Sequence, residues 1–100
     1  MAVNAATINV TIRKEAGNPA RCLADDIFEA QRGDIVVFHF DEKDAEITFI
    51  GDSPFDAVTF APGRQTVRGD AREGGYAYTI TWAGKAGHGN AGGRVRGSGQ

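Results

Sequence analysis

Tyr76-Ala77-Tyr78-Thr79-Ile80-Thr81-Trp82 alternates strictly between large apolar side chains and small or polar ones. A period of two puts Tyr76, Tyr78, Ile80 and Trp82 on one face of an extended chain and Ala77, Thr79 and Thr81 on the other, as in a strand with one face in a core. Thr7-Ile8-Asn9-Val10-Thr11-Ile12-Arg13 repeats the pattern, with Ile8, Val10 and Ile12 on the buried side. Between them, Ile35-Val36-Val37-Phe38-His39-Phe40-Asp41 is the most strongly β-prone stretch, and Val36, Phe38 and Phe40 share its inner face.

Turn signals separate these segments. Gly17-Asn18-Pro19 ends the first strand, and Cys22 to Ala30 follows as a poorer strand region interrupted by Asp25-Asp26. Arg32-Gly33-Asp34 turns the chain into Ile35 to Asp41, and the charged turn Asp41 to Asp44 leads into Glu46 to Ile50, so these two segments are expected to form a hairpin. Gly51 to Ala61 has no sustained period and reads as a long loop with at most one helical turn. Pro62-Gly63 precedes a polar strand, Gln65 to Asp70, anchored by Val67, and Glu73-Gly74-Gly75 turns the chain again. The glycine-rich stretch 84–93 reads as a mobile loop before a short last strand, Arg94-Val95-Arg96.

Short strands with turns between them, and no amphipathic helix, predict an all-β Greek-key β-sandwich of about seven or eight strands. A chain of 100 residues encloses one core, so residues 1–100 are expected to be one domain. With 41% hydrophobic and 24% charged residues the chain is too apolar to stay disordered. A net charge of -2, with both signs interspersed, gives no field that would gather nucleic acid. The longest uninterrupted apolar run, Ile35 to Phe38, is far too short for a bilayer, so no membrane insertion is expected. Residues 1–7 lack the basic and apolar regions of a secretory signal, which implies a cytoplasmic protein if the start is native and a periplasmic or secreted one if a signal has been removed. Cys22 is the sole cysteine, which rules out an internal disulfide and leans towards a reducing compartment.

Three stretches, in order, resemble the cupredoxins. Gly33-Asp34-Ile35-Val36-Val37-Phe38 is similar to the glycine-aspartate lead into that family's third strand, with Ile47-Thr48-Phe49 after the charged turn. Phe60-Ala61-Pro62-Gly63 resembles the family's proline-glycine turn, and Gly75-Tyr76-Ala77-Tyr78-Thr79-Ile80 resembles its approach to the copper loop. The resemblance implies a cupredoxin-like fold over about Thr7 to Val95. It also implies that the first histidine ligand falls at about Glu46 and the cysteine ligand at Ile80. A blue copper site needs a thiolate and two imidazoles, so the resemblance comes without the copper chemistry, and no cofactor is expected.

The candidate sites are few. Gly87-His88-Gly89-Asn90-Ala91-Gly92 matches G-x-G-x-x-G, yet a phosphate cradle needs a helix after the glycines, and here the chain ends eight residues later. Ser53 lacks the glycines of a nucleophile elbow, and Asp25 and Asp26, adjacent in a strand, would face opposite ways. No catalytic residue is predicted, and the chain is expected not to be an enzyme. If Val36, Phe38 and Phe40 fill the core, then Ile35, Val37 and His39 share the outward face, a candidate surface for a protein partner or self-association. The alternative is a nitrogen-oxygen metal site built from His39, Glu46 and His88.

Overall fold

The computed structural model describes residues 6–24, 27–42, 44–82 and 87–97, with the side chain of Pro19 left aside. The described residues form nine strands and no helix. They are β1 (Thr7–Glu15), β2 (Asn18–Ala24), β3 (Phe28–Gln31), β4 (Ile35–His39), β5 (Glu46–Phe49), β6 (Thr59–Phe60), β7 (Arg64–Thr66), β8 (Gly74–Trp82) and β9 (Gly87–Arg96).

One mixed sheet, in the order β6-β5-β8-β9-β2-β1-β4-β7 with β3 also paired to β9, curls over into two layers. The first layer is β2-β1-β4-β7 and the second is β3-β9-β8-β5-β6. β2 joins them, antiparallel to β1 on one side and touching β9 through the Arg21–His88 pair on the other. The fold is an all-β sandwich, as the alternation of β1, β4 and β8 predicts.

The inner faces follow that alternation. Val10 and Ile12 from β1, Val36 and Phe38 from β4, and Tyr76, Tyr78, Ile80 and Trp82 from β8 are all buried. Phe38 lies within 5.5–6.0 Å, centroid to centroid, of the rings of Phe28, Phe55, Phe60 and Tyr78. Aromatic pairs of this kind contribute about 0.5–1.5 kcal/mol each beyond their burial. Phe40 and Trp82 make a second edge-on pair at 5.1 Å.

Three expectations are corrected. β4 and β5 do not pair: β4 lies between β1 and β7, β5 between β6 and β8, so the charged turn carries the chain from one layer to the other. The 51–61 stretch is a loop over 51–58, as expected, but it contains no helical turn and its middle is buried. Ser53, Pro54 and Phe55 are buried, Phe55 sits in the aromatic cluster, and Thr59–Phe60 forms the edge strand β6. Its apolar residues follow no period because they plug the core from a bend.

The third correction concerns 87–93, which is not a mobile loop but the first seven residues of the ten-residue strand β9, paired with β8 from Gly74–Val95 to Trp82–Gly87. Its glycines are slots. A Cβ at Gly87 would lie 2.0 Å from the Trp82 indole, one at Gly93 2.0 Å from the Phe28 ring, and one at Gly89 2.4 Å from Cys22 Sγ. Large side chains from neighbouring strands occupy the space that β9 leaves bare. Residues 83–86 and Asp25-Asp26 lie outside the described residues.

Candidate interaction faces

Asp34 fixes the start of β4. Gly33, at φ +88°, makes the turn, and the Asp34 carboxylate then accepts hydrogen bonds from the backbone N–H groups of Ala6, at 3.0 Å, and Gln31, at 2.9 Å. On the far side Val67 N–H donates to the Asp34 carbonyl, and Gly33 N–H to that of Val67. These bonds set β4 between β1 and β7 in a register that turns Val36 and Phe38 inward and Ile35, Val37 and His39 outward.

Around that outward triad lie Thr7, Asn9 and Thr11 of β1 and Arg64 and Thr66 of β7. His39 is exposed, with Nε2 2.8 Å from Asn9 Oδ1. Ile35 and Val37 are half-buried by these neighbours, so the apolar spot is real but shallow. Leu23, opposite Arg13 on the same outer face, is 54% exposed and extends it. Where β1 and β4 part company after the Thr11–His39 pair, a cleft of about 580 Å³ opens, lined by Arg13, Lys14, His39, Asp41 and Pro62 among others. Its charges are mixed, and Lys14 is already paired with Glu42.

The second layer presents a different outer face, made of three rows that run across the strands. Glu46, Thr81, His88 and Arg21 form one row. Thr48, Thr79 and Asn90 form the next. The third continues the same registers through Ile50, whose N–H donates to the carbonyl of Ala77, then Ala77, Gly92 and Ile27. Ile50 and Ile27 are 62% and 67% exposed, while every residue between them is small. A groove of about 380 Å³ runs over Gly75, Gly92 and Gly93 beside Ile27 and Arg94.

The two histidines therefore lie on opposite layers. Glu46 and His88 share a row with Thr81 between them, about 10 Å apart by strand spacing. His39 belongs to the other sheet, and no group of three or more metal-binding side chains gathers among the described residues. Cys22 points inward and is almost fully buried, which pushes its thiol pKa up to about 11. It packs on Gly89, which is opposite Ile80, so the thiol and Ile80 occupy one inward row while both imidazoles are outside.

Ser53 is committed to its turn: its hydroxyl donates to the Ala57 carbonyl at 2.8 Å and accepts from the Phe55 N–H at 3.0 Å. That is a structural role. Tyr78 Oη is buried without a hydrogen bond among the described residues, and burial raises its pKa. The G-x-G-x-x-G string lies within β9, where its backbone pairs with β8 and is not presented by a helix. Sequence reasoning missed the row carrying Ile27 and Ile50, because each isoleucine stands just outside a strand and only the sheet register brings them into line.

Compared with known proteins, the chain matches no family model and no curated protein.

Proposed function

We propose that this chain is a non-catalytic, copper-free module of cupredoxin-like, Greek-key type, and that it works by binding or assembly. The observation that carries the reading is the division of chemistry between inside and outside. Ile80, where the resemblance expects the copper thiolate, is a fully buried aliphatic side chain. The one real thiol faces the core beside it, and both imidazoles face solvent on opposite layers. A trigonal copper site needs a thiolate and two imidazoles converging on one ion.

The three stretches that carry the resemblance support the same reading. Gly33-Asp34 opens β4, which is the third strand if β2 and β3 count as one broken strand; Pro62-Gly63 precedes β7; and Tyr76 to Ile80 lies in β8. The chemistry that remains is at the surface, where Ile35, Val37 and His39 form one candidate contact face with protein.

Adding copper or zinc to metal-free protein and following its melting temperature tests the reading, because a ligand bound to the native state raises stability by mass action. An unchanged melt well above micromolar metal is the expected result. A metal-dependent rise, or an intense thiolate-to-copper absorption, refutes it and favours a metal site at one of the two histidines, with Glu46 a ligand only beside His88, or a site at Cys22. For the contact face, Ile35→Glu and Val37→Glu are expected to weaken association. Variants indistinguishable from the parent in sedimentation and in partner assays remove that face from the proposal.

A further inference from the structure

We infer that the chain pairs with a second copy of itself through the outer face of the β3-β9-β8-β5 sheet. Ile50 of each copy packs against the Ile27 side of the other, and Glu46 meets Arg21 and His88. This rests on the assembly reading above and names its partner.

Register is the first ground. Isolated exposed apolar residues are ordinary. Ile27 and Ile50 are not isolated: they stand at opposite edges of one sheet face, in the same row, with only Ala77 and Gly92 between them. The row spans three strand spacings, about 14 Å. Ala77 and Gly92 leave the ground between the two isoleucines low, and on the Ile27 side it opens into the groove over Gly75, Gly92 and Gly93.

Charge is the second ground. The row four residues along the strands carries Glu46 at the β5 edge and His88 and Arg21 at the other. Neither Glu46 nor Arg21 has an ion-pair partner among the described residues. One edge is acidic and the other basic at the same height.

Together the two rows fix the geometry. A two-fold axis lying along the strands exchanges the edges of the face and preserves height, so each apolar rim meets the other copy's apolar rim and each acid meets the other copy's bases. An axis across the strands would instead set Ile50 over the Glu46 row. Either axis keeps the strands of the two sheets aligned, the packing usual between β-sheets, so the two rows alone decide between them. About a dozen residues line this face, fewer than the 20–30 residues a side of a standard interface, so the dimer is a weak one.

Sedimentation velocity from about 1 μM to 1 mM tests the inference, with melting curves to show that each variant is folded. The parent is expected to move from monomer to dimer across that range. Ile27→Arg and Ile50→Arg should each weaken association at least tenfold. Glu46→Arg and Arg21→Glu should each be monomeric alone, yet an equimolar mixture of the two should dimerise, because the altered sites are complementary and the second contact is native. A parent that stays monomeric, isoleucine variants that associate normally, or a mixture that fails to associate overturns the inference. If only Ile35→Glu and Val37→Glu abolish association, this dimer is refuted while the assembly reading stands. Copper loading, by contrast, would remove the reading itself.

Discussion

Gly89→Ala tests whether the glycine-rich stretch is a packed strand or a loop, because the two arrangements predict opposite signs. In the structure an added Cβ at Gly89 meets Cys22 Sγ at 2.4 Å, the Cys22 carbonyl oxygen at 2.6 Å and the Cys22 carbonyl carbon at 3.2 Å. Ordinary carbon contacts lie at about 3.5–4.0 Å, so relief requires about 1 Å of movement. Rotating the cysteine removes only the sulfur; the carbonyl belongs to the backbone of β2 and can withdraw only if β2 separates from β9. Overpacking of this kind costs about 1–3 kcal/mol, and a backbone obstacle sets the cost near the top of that range. Replacing glycine by alanine returns about 0.4–1 kcal/mol by restricting the unfolded chain. The net loss is therefore about 2 kcal/mol, or roughly 8–16 °C in Tm for a domain of this size. Differential scanning calorimetry, with urea unfolding as a second measure, reads it directly. In a mobile loop only the unfolded-state term would act, and the variant would melt slightly higher. A Tm equal to or above the parent's therefore refutes the placement of Gly89 against β2.

Three further perturbations follow from named contacts. Asp34→Ala removes the acceptor for the Ala6 and Gln31 N–H groups and should cost about 2–3 kcal/mol in urea unfolding; a loss under about 0.5 kcal/mol would show that the clamp does not hold β4. Tyr78→Phe deletes a buried hydroxyl without a partner and should leave stability unchanged or raise it by up to about 1 kcal/mol, whereas a clear loss would mean that the hydroxyl is satisfied. Cys22, with its folded-state pKa raised by burial from 9.0 to about 11, keeps its proton where the unfolded chain has lost it. That contribution is complete below pH 9 and is lost as pH rises towards 11, so alkaline destabilisation should be shallower in Cys22→Ala than in the parent, and equal slopes would contradict the burial.

Wherever a side chain's own alternation decides its environment, the sequence was readable. β1, β4 and β8 bury the faces that their period of two selects, and the class of fold follows from them. What could not be read locally depended on a partner strand. Gly87, Gly89 and Gly93 look like loop residues because they bring no bulk of their own, but the bulk is supplied by Trp82, Cys22 and Phe28 from other strands. Phe55 looks like a stray aromatic because its bend has no period, although it touches Phe28, Phe38, Phe49 and Phe60. The hairpin expected between Ile35–Asp41 and Glu46–Ile50 failed for a related reason: the turn length fits a hairpin, but β1 and β7 take both edges of β4. For the candidate site, Ile35, Val37 and His39 do share an outward face, as alternation requires, while their degree of exposure is set by β1 and β7.

The two outer faces differ in a way that bears on function. On the first layer the apolar residues Ile35 and Val37 lie on an interior strand of the sheet, and their flanking threonines and arginine already cover half of each. β-branched residues at those two positions are what β propensity alone would produce, because such residues favour strands whichever way they point. On the second layer, threonine provides the same propensity at Thr48, Thr79 and Thr81 without exposing a large apolar surface. Isoleucine at 27 and 50 gains nothing of that kind, since both lie outside the strands and both are more than 60% exposed. Neither folding nor strand formation accounts for their size. In the proposed dimer, contact with a second copy does, and the complementary charges in the parallel row fit that partner.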